Sequence, residues 1–373
     1  GPTPVLQEAL AAMSQPILHH RTPEFSAIFK EAAQGLKEIF GTKQDVLLLA
    51  GSGTAAMEGS MTNLLSPGQK VITVNGGKFG ERWGNICKAY GIQNIELKVE
   101  WGEAVDPAKI EAELKKDPSI AAVYVQASET STATIHPVKE IAKITKNSNA
   151  LLVVDGITAV GSLPLPMDEW GIDVLVTGSQ KAFMLPPGLA FVALSERAWE
   201  RTKEAKLPRF YLDFARERKN LAKDTSAWTP AVSLIVGLRE VVRSMKAEGL
   251  EALYGRHAML ARATREAMKA LGLKLFSKAP ADSVTAVWLP EGIDAKKFVK
   301  YCRDKLGVAM AAGQDAVETK IIRISHMGYV DAFDTLAAVS AVEMGLDRFG
   351  QKVNFGAGVA AAQRVLVEGF PKP

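Results

Sequence analysis

Between Val46 and Leu194 short apolar runs alternate with segments of helical period, and few folds accommodate that alternation. Val46–Ala50, Lys70–Val74, Ile95–Val99, Ile120–Gln126, Leu151–Val154 and Val174–Thr177 read as strands. Ala55–Leu65, Glu81–Tyr90, Asp106–Lys116 and Pro137–Thr145 read as the helices between them, with Asp106 as a cap and Pro107 at the first helical position. Strands apolar on both faces, each followed by a helix, predict an α/β fold with a mainly parallel sheet covered on both sides. One connection differs. From Gly178 to Gly188 the chain has no room for a helical crossover, so Leu189–Leu194 is expected to run antiparallel to Val174–Thr177.

Elsewhere the pattern is looser. Residues 5–45 mix helical pieces with the loop Leu18–Phe25, and the charged stretch Trp199–Asn220 reads as a solvated surface excursion. Val232–Ala247 and Ala252–Leu271 are helices, the second linking to a smaller α+β unit. That unit comprises Val284–Trp288, Ala295–Leu306, Ile321–Ile324 and Ala332–Phe349. A chain of 373 residues, 47% apolar, can bury one large core and a second smaller one. Its net charge of +4 is too small and dispersed for a nucleic-acid partner. No apolar run reaches membrane-spanning length and no secretory signal is evident. Cys87 and Cys302 have neither metal-type spacing nor a disulfide framework, so the expected compartment is the cytoplasm.

In an open parallel sheet, ligands bind beyond the carboxyl ends of the strands. Val46–Ala50 is followed by Gly51-Ser52-Gly53-Thr54, a turn into a helix that could cradle a phosphate or simply be tight. Lys70–Val74 leads to a glycine loop carrying Phe79, and Ile120–Gln126 leads to the hydroxyl cluster Ser128-Glu-Thr-Ser-Thr132. Leu151–Val154 ends on Asp155, and Val174–Thr177 delivers Lys181. Alone, Lys181 reads as an ordinary lysine that snorkels its charge into water. Its neighbours Ala182, Phe183, Met184 and Leu185 instead predict a desolvated amine of lowered pKa, able to form a Schiff base. Pyridoxal phosphate asks for this inventory: a lysine for its aldehyde, a carboxylate for its ring nitrogen, a helix N-terminus for its phosphate, and a stacking ring.

With these residues in view, the chain resembles the class V aminotransferases of fold type I, in particular the alanine–glyoxylate and serine–pyruvate/glyoxylate group. The likeness rests on Gly1-Pro-Thr-Pro4, Ser52-Gly-Thr54, Glu129-Thr-Ser-Thr132, Asp155-Gly-Ile157, Gly178-Ser-Gln-Lys181, Thr229-Pro230 and Arg323-Ile-Ser-His-Met-Gly328. It implies a large cofactor domain over residues 15–250 and a small domain over 251–373, with residues 1–14 against the latter. It makes Lys181 the Schiff-base lysine and proton shuttle, and Asp155 the partner of the ring nitrogen. Phe79 and Ile157 take the two faces of the ring. Ser52, Gly53, Thr54 and Gln180 surround the phosphate, and Thr130 lies near the phenolic oxygen. Thr229 reaches the cofactor of a partner subunit, which implies a homodimer; Ser226 stands where some relatives place a phosphate-binding tyrosine. Arg323 holds the substrate carboxylate, although read from the residues alone it is equally a structural ion pair. Ser325 departs from the glycine often found there. His19, His20 and Arg21 fall in a loop near the active-site mouth.

The resemblance implies amino transfer between alanine or serine and glyoxylate or pyruvate. Other class V activities, on aspartate or an aminophosphonate, remain alternatives. Cysteine desulfurases and selenocysteine lyases usually carry histidine before the lysine and a loop cysteine; this chain has Gln180 and no such cysteine. A nicotinamide-dependent oxidoreductase would explain Gly51-x-Gly53-x-x-Ala56, but no carboxylate follows the next strand at Val74-Asn75.

Overall fold

The alternation closes into a seven-stranded sheet in the computed structural model, which describes residues 1–370. In chain order the strands are β1 (Val46–Gly51), β2 (Lys70–Asn75), β3 (Gln93–Lys98), β4 (Ala122–Gln126), β5 (Ser128–Glu129), β6 (Thr134–Ile135) and β7 (Leu151–Asp155). Next come β8 (Val174–Gly178), β9 (Gly188–Leu194), β10 (Val284–Trp288), β11 (Ala311–Ala312) and β12 (Ile321–Ser325). The large sheet has the order β1-β9-β8-β7-β4-β2-β3. Pairing is parallel from β3 through β8, whereas β9 runs antiparallel to both β8 and β1, with Thr177 opposite Phe191. Because β9 opposes both neighbours, β1 points the same way as β8. The carboxyl ends of β1, β2, β3, β4, β7 and β8 therefore share one edge.

Side chains alternate across the sheet, as a period of two demands. On β1, Val46 and Leu48 join one core and Leu47 and Leu49 the other; on β7, Leu152 and Val154 oppose Leu151 and Val153. Each such side chain, fully buried, contributes about 1.5–3 kcal/mol of transfer free energy, which makes the sheet a rigid platform. The first helices are α1 (Gln7–Met13), α2 (Pro23–Phe40), α3 (Gly53–Thr62) and α4 (Lys78–Ala89). α2 covers one face together with the helix Val232–Glu248, while α3 and α4 cover the other.

Two expectations need correction. Trp199–Asn220 is not a solvated excursion: Trp199, Leu207 and Phe214 are buried in the core under α3, and only Phe210 and Tyr211 stand out. Charged residues on the outer sides of helices Glu196–Glu204 and Phe214–Leu221 masked these anchors. The N-terminal segment packs chiefly on the large domain and touches the C-terminal unit where Thr3 nears Gly328. Leu6 and Ala9 lie in the core of the large sheet and α1 packs on Val232–Glu248, while the Leu6 N–H donates to Met184 O at 2.9 Å.

Beyond Gly249 a second core forms. The helix Leu250–Ala270 begins in the first core with Leu253 and continues into the second with Leu260. Phe298, Ile322 and Val342 complete the second core around the antiparallel sheet β10-β12-β11. Among the described residues no helix is long and apolar enough to cross a membrane.

Candidate active site

β8 ends at Gly178, and the chain then folds back tightly to β9. Ser179 closes this loop: its hydroxyl donates to Pro186 O at 2.7 Å and accepts the Leu189 N–H at 3.2 Å. Phe183, Met184 and Leu185 are anchored in the core, so Lys181 is held by a buried hairpin. Its Nζ donates to Gly1 O at 3.0 Å, and Thr3 brackets it by donating from Oγ1 to Lys181 O at 2.7 Å. Burial lowers the lysine pKa, as its apolar flanks implied.

Asp155 ends β7, one strand over. Among the described residues, its carboxylate accepts one hydrogen bond, from the Ile157 N–H at 2.8 Å. Burial pushes this carboxyl up to about 7 despite that bond. A cation meeting it would hold it ionised and reverse the shift.

The phosphate candidate lies at the end of β1. Ser52 occupies the N-cap of α3 and makes no side-chain capping bond; its carbonyl accepts the Ala55 N–H at 2.8 Å, which leaves the Gly53 and Thr54 N–H groups without a partner among the described residues. Gly178 lies so close that a Cβ there would stand 3.1 Å from Gly53 N and 3.0 Å from Gln180 Oε1. That Gln180 oxygen is buried without a partner. A Cβ on Gly53 would meet Ile157 Cδ1 at 2.5 Å, so a side chain at either glycine would crowd the close approach of α3 to the β7 and β8 ends. Loop chemistry in three separate stretches thus converges on one spot.

Phe79 is set by Glu129. This buried carboxylate accepts the Phe79 and Gly80 N–H groups at 3.1 and 2.9 Å, together with the Ser131 hydroxyl at 2.6 Å, and so caps α4. Burial raises its pKa while those bonds pull it back. Next to it, Thr130 Oγ1 hydrogen-bonds Thr158 Oγ1 at 2.9 Å.

Arg323 reaches the site from β12. Its Nε donates to Ala312 O and its Nη1 to Thr130 O, both at 3.0 Å, which ties the small sheet to the hydroxyl cluster. These partners are carbonyls, and among the described residues no carboxylate pairs with Arg323. Its remaining N–H groups stay available.

The fold thus gathers Ser52, Gly53, Thr54, Phe79, Thr130, Asp155, Ile157, Gln180, Lys181 and Arg323 around one edge. Thr229 is not among them. It is exposed, beside Leu189, Tyr211 and Trp228, and Ser226 donates its hydroxyl to Trp228 O at 2.6 Å. His19 and His20 stack on one another at 5.0 Å, and no described contact brings them or Arg21 to the site. Two residues escaped the sequence reading: Glu129, whose capping role only the fold reveals, and Arg82, whose Nη1 donates to Thr54 Oγ1 at 3.0 Å. Starting the helix at Glu81 hid the second. With α4 beginning at Lys78, Arg82 falls one turn past Phe79 on the same face.

The chain is similar to known proteins over nearly its whole length. The family described as Aminotransferase class-V matches residues 5–335. A protein named soluble hydrogenase, small subunit, from Synechococcus sp. (strain PCC 6716) is 44% identical over 98% of this chain and 97% of its own length. An L-aspartate–glyoxylate aminotransferase from Paracoccus denitrificans is 37% identical, covering 97% of this chain and 94% of its own. Among solved structures, a ureidoglycine–glyoxylate aminotransferase from Bacillus subtilis superposes with a TM-score of 0.94 at 30% identity, over 98% of this chain and 96% of that one. The hydrogenase name belongs to that relative. Here both cysteines are buried singly, and among the described residues no cluster of three or more metal-type donors occurs.

Proposed function

The chain belongs to the class V aminotransferase family, and from that premise we propose that it moves an amino group between alanine or serine and glyoxylate or pyruvate, using pyridoxal phosphate. The observation that carries this reading is the convergence of a desolvated Lys181, a buried Asp155 and an unpaired Arg323 on one sheet edge. The residues present fit the cofactor. The uncapped start of α3 suits a phosphate, and the buried Asp155 carboxylate, which accepts one hydrogen bond among the described residues, suits a protonated ring nitrogen that would hold it ionised. When bound, pyridoxal phosphate supplies an aldehyde that condenses with amines and a ring that accepts the electron pair of a broken Cα–H bond.

Lys181 would hold the cofactor through its aldehyde, and its desolvated amine would serve as the base that takes and returns the substrate's Cα proton. Asp155 keeps the ring nitrogen protonated. Phe79 and Ile157 would hold the ring, Thr130 would donate to its phenolic oxygen, and Ser52, Gly53, Thr54 and Gln180 would bind the phosphate. Arg323 fixes the carboxylate shared by donor and acceptor, and its two bonds to carbonyls set the plane of its fork. Exposed in one protomer, Thr229 completes the cofactor site of a partner subunit in a homodimer. Two unpaired, buried cysteines suit the cytoplasm.

Glyoxylate as acceptor is supported by the names of the Paracoccus and Bacillus proteins. They differ in donor, and aspartate is the alternative to alanine or serine. Stopped-flow absorbance of the cofactor-loaded protein, mixed separately with L-alanine, L-serine and L-aspartate, tests this. Fast conversion by alanine or serine, reversed by glyoxylate, is expected; conversion by aspartate alone would transfer the reading to that alternative.

A further inference from the structure

Arg82 has no part in the roles assigned above, yet it stands among them. Its Nη1 donates to Thr54 Oγ1 at 3.0 Å, in the first turn of α3. Its guanidinium lies 4.9 Å from the centre of the Phe79 ring, a cation–π contact that fixes the side chain along α4. Among the described residues no carboxylate pairs with it. One N–H goes to Thr54, so the other donors of the planar fork remain free.

The balance of charge shows what it could serve. A phosphate monoester carries about −1.5 to −2 charges at pH 7. A helix N-terminus offers roughly +0.5, and Ser52, Thr54 and Gln180 are neutral. More than half of the anion's charge is therefore unmatched by the groups around it. The fields of Arg82 and Arg323 both act on Lys181, but Arg323 is directed to Thr130 and Ala312 on the other side. Lys181 is committed to the aldehyde. Of these three cations, Arg82 is the one that touches α3.

We propose that Arg82 is the counter-cation of the cofactor phosphate, presented to it across Thr54 and locked by Phe79. The inference rests on the pyridoxal phosphate reading. It assigns to α4 two tasks with one turn of helix: Phe79 against the ring and Arg82 against the phosphate. It also accounts for Glu129, which caps α4 and thereby sets the position of both.

The test compares two probes that differ only in phosphate. Cofactor-free protein is titrated with pyridoxal phosphate and with pyridoxal, following absorbance and intrinsic fluorescence, for wild type, Arg82→Gln and Arg82→Lys. Arg82→Gln should weaken pyridoxal phosphate by about 10- to 100-fold, the worth of one charge-assisted contact, and leave pyridoxal within about twofold. Arg82→Lys keeps the charge without the fork and should recover part of the loss; it also gives the answer if the glutamine variant does not fold. Added salt should narrow the gap between wild type and Arg82→Gln. If the variants prefer pyridoxal phosphate over pyridoxal as strongly as wild type does, or lose both probes equally, Arg82 is not the counter-cation. Failure of wild type to bind pyridoxal phosphate at all would instead overturn the functional reading, and this proposal with it.

Discussion

The carboxyl edge of the large sheet and the segment from Phe210 to Pro230 both carry residues of the proposed cofactor site but are built differently. At the edge, each functional group is fixed by the groups beneath it: Asp155 by Ile157, Lys181 by the Ser179 loop, Phe79 by Glu129 and Arg323 by two carbonyls. The Phe210–Pro230 segment shows aromatic rings to solvent, with Phe210 70% exposed and packed near Trp228, and leaves Thr229 exposed. The groups of the first region are held by contacts within one protomer. The second would be covered by a partner subunit in the proposed homodimer. Chemistry should therefore fail with edge substitutions whatever the protein concentration, and segment substitutions should act through assembly.

The largest effect belongs to Lys181→Ala. Without the amine, turnover should be lost and the cofactor should dissociate on gel filtration, measured by absorbance of the protein peak. Asp155→Asn comes next. Its carboxylate acts chiefly on the charge that develops during reaction, so kcat should fall by roughly 100-fold or more while cofactor affinity changes little. The same variant carries a pH signature. A carboxyl raised to about 7 in the fold keeps its proton when the unfolded chain, with its ordinary value near 4, has lost it. In the cofactor-free protein Asp155 should thus contribute a loss of stability of up to roughly 4 kcal/mol as pH rises from about 4 to 7, to which the raised carboxyl of Glu129 adds in the same direction. Asp155→Asn should remove that contribution and make the slope shallower in thermal melts of the cofactor-free protein.

Arg323→Lys keeps charge but loses the fork. It should weaken alanine, serine and glyoxylate together by about 10- to 100-fold, read from separate half-reaction titrations. Loss with one partner only would mean that Arg323 reads a side chain. The smallest effect is that of Thr229→Ala, about tenfold or less in cofactor affinity, the worth of one neutral hydrogen bond. Sedimentation and cofactor titration over a dilution series sharpen the comparison. Affinity should fall where wild type dissociates to monomers, and an affinity independent of dilution would remove the distinction between the two regions.

The edge was legible in the sequence because an apolar run buried on both faces stops where its strand stops. In a parallel sheet the residues just after an apolar run lie at the ligand edge, which placed Asp155 and Lys181 there, while their proposed roles came from the whole strand-end inventory and the resemblance. The antiparallel β9 was implied by the length of one loop. Three things were hidden. Glu129 acts through a hydrogen bond to residues 50 positions away, and no local pattern marks such a pairing. Arg82 was lost to a helix start misplaced by three residues, from Lys78 to Glu81, because Gly77 begins α4 without a capping side chain of its own. The buried face of Trp199 and Phe214 was masked by a high density of charge on short helices, where few apolar positions remain to show a period. Arg323 was legible by resemblance, while its carbonyl partners came from the tertiary fold.

The central claim is that a cofactor aldehyde is held at Lys181 and nowhere else. Loading the protein with pyridoxal phosphate, reducing it with borohydride and mapping peptide masses tests it directly. The account predicts the cofactor's added mass on the single peptide containing Lys181, at one per chain, and its loss when L-alanine is added before the borohydride. Label spread over surface lysines, or none on Lys181, would contradict it.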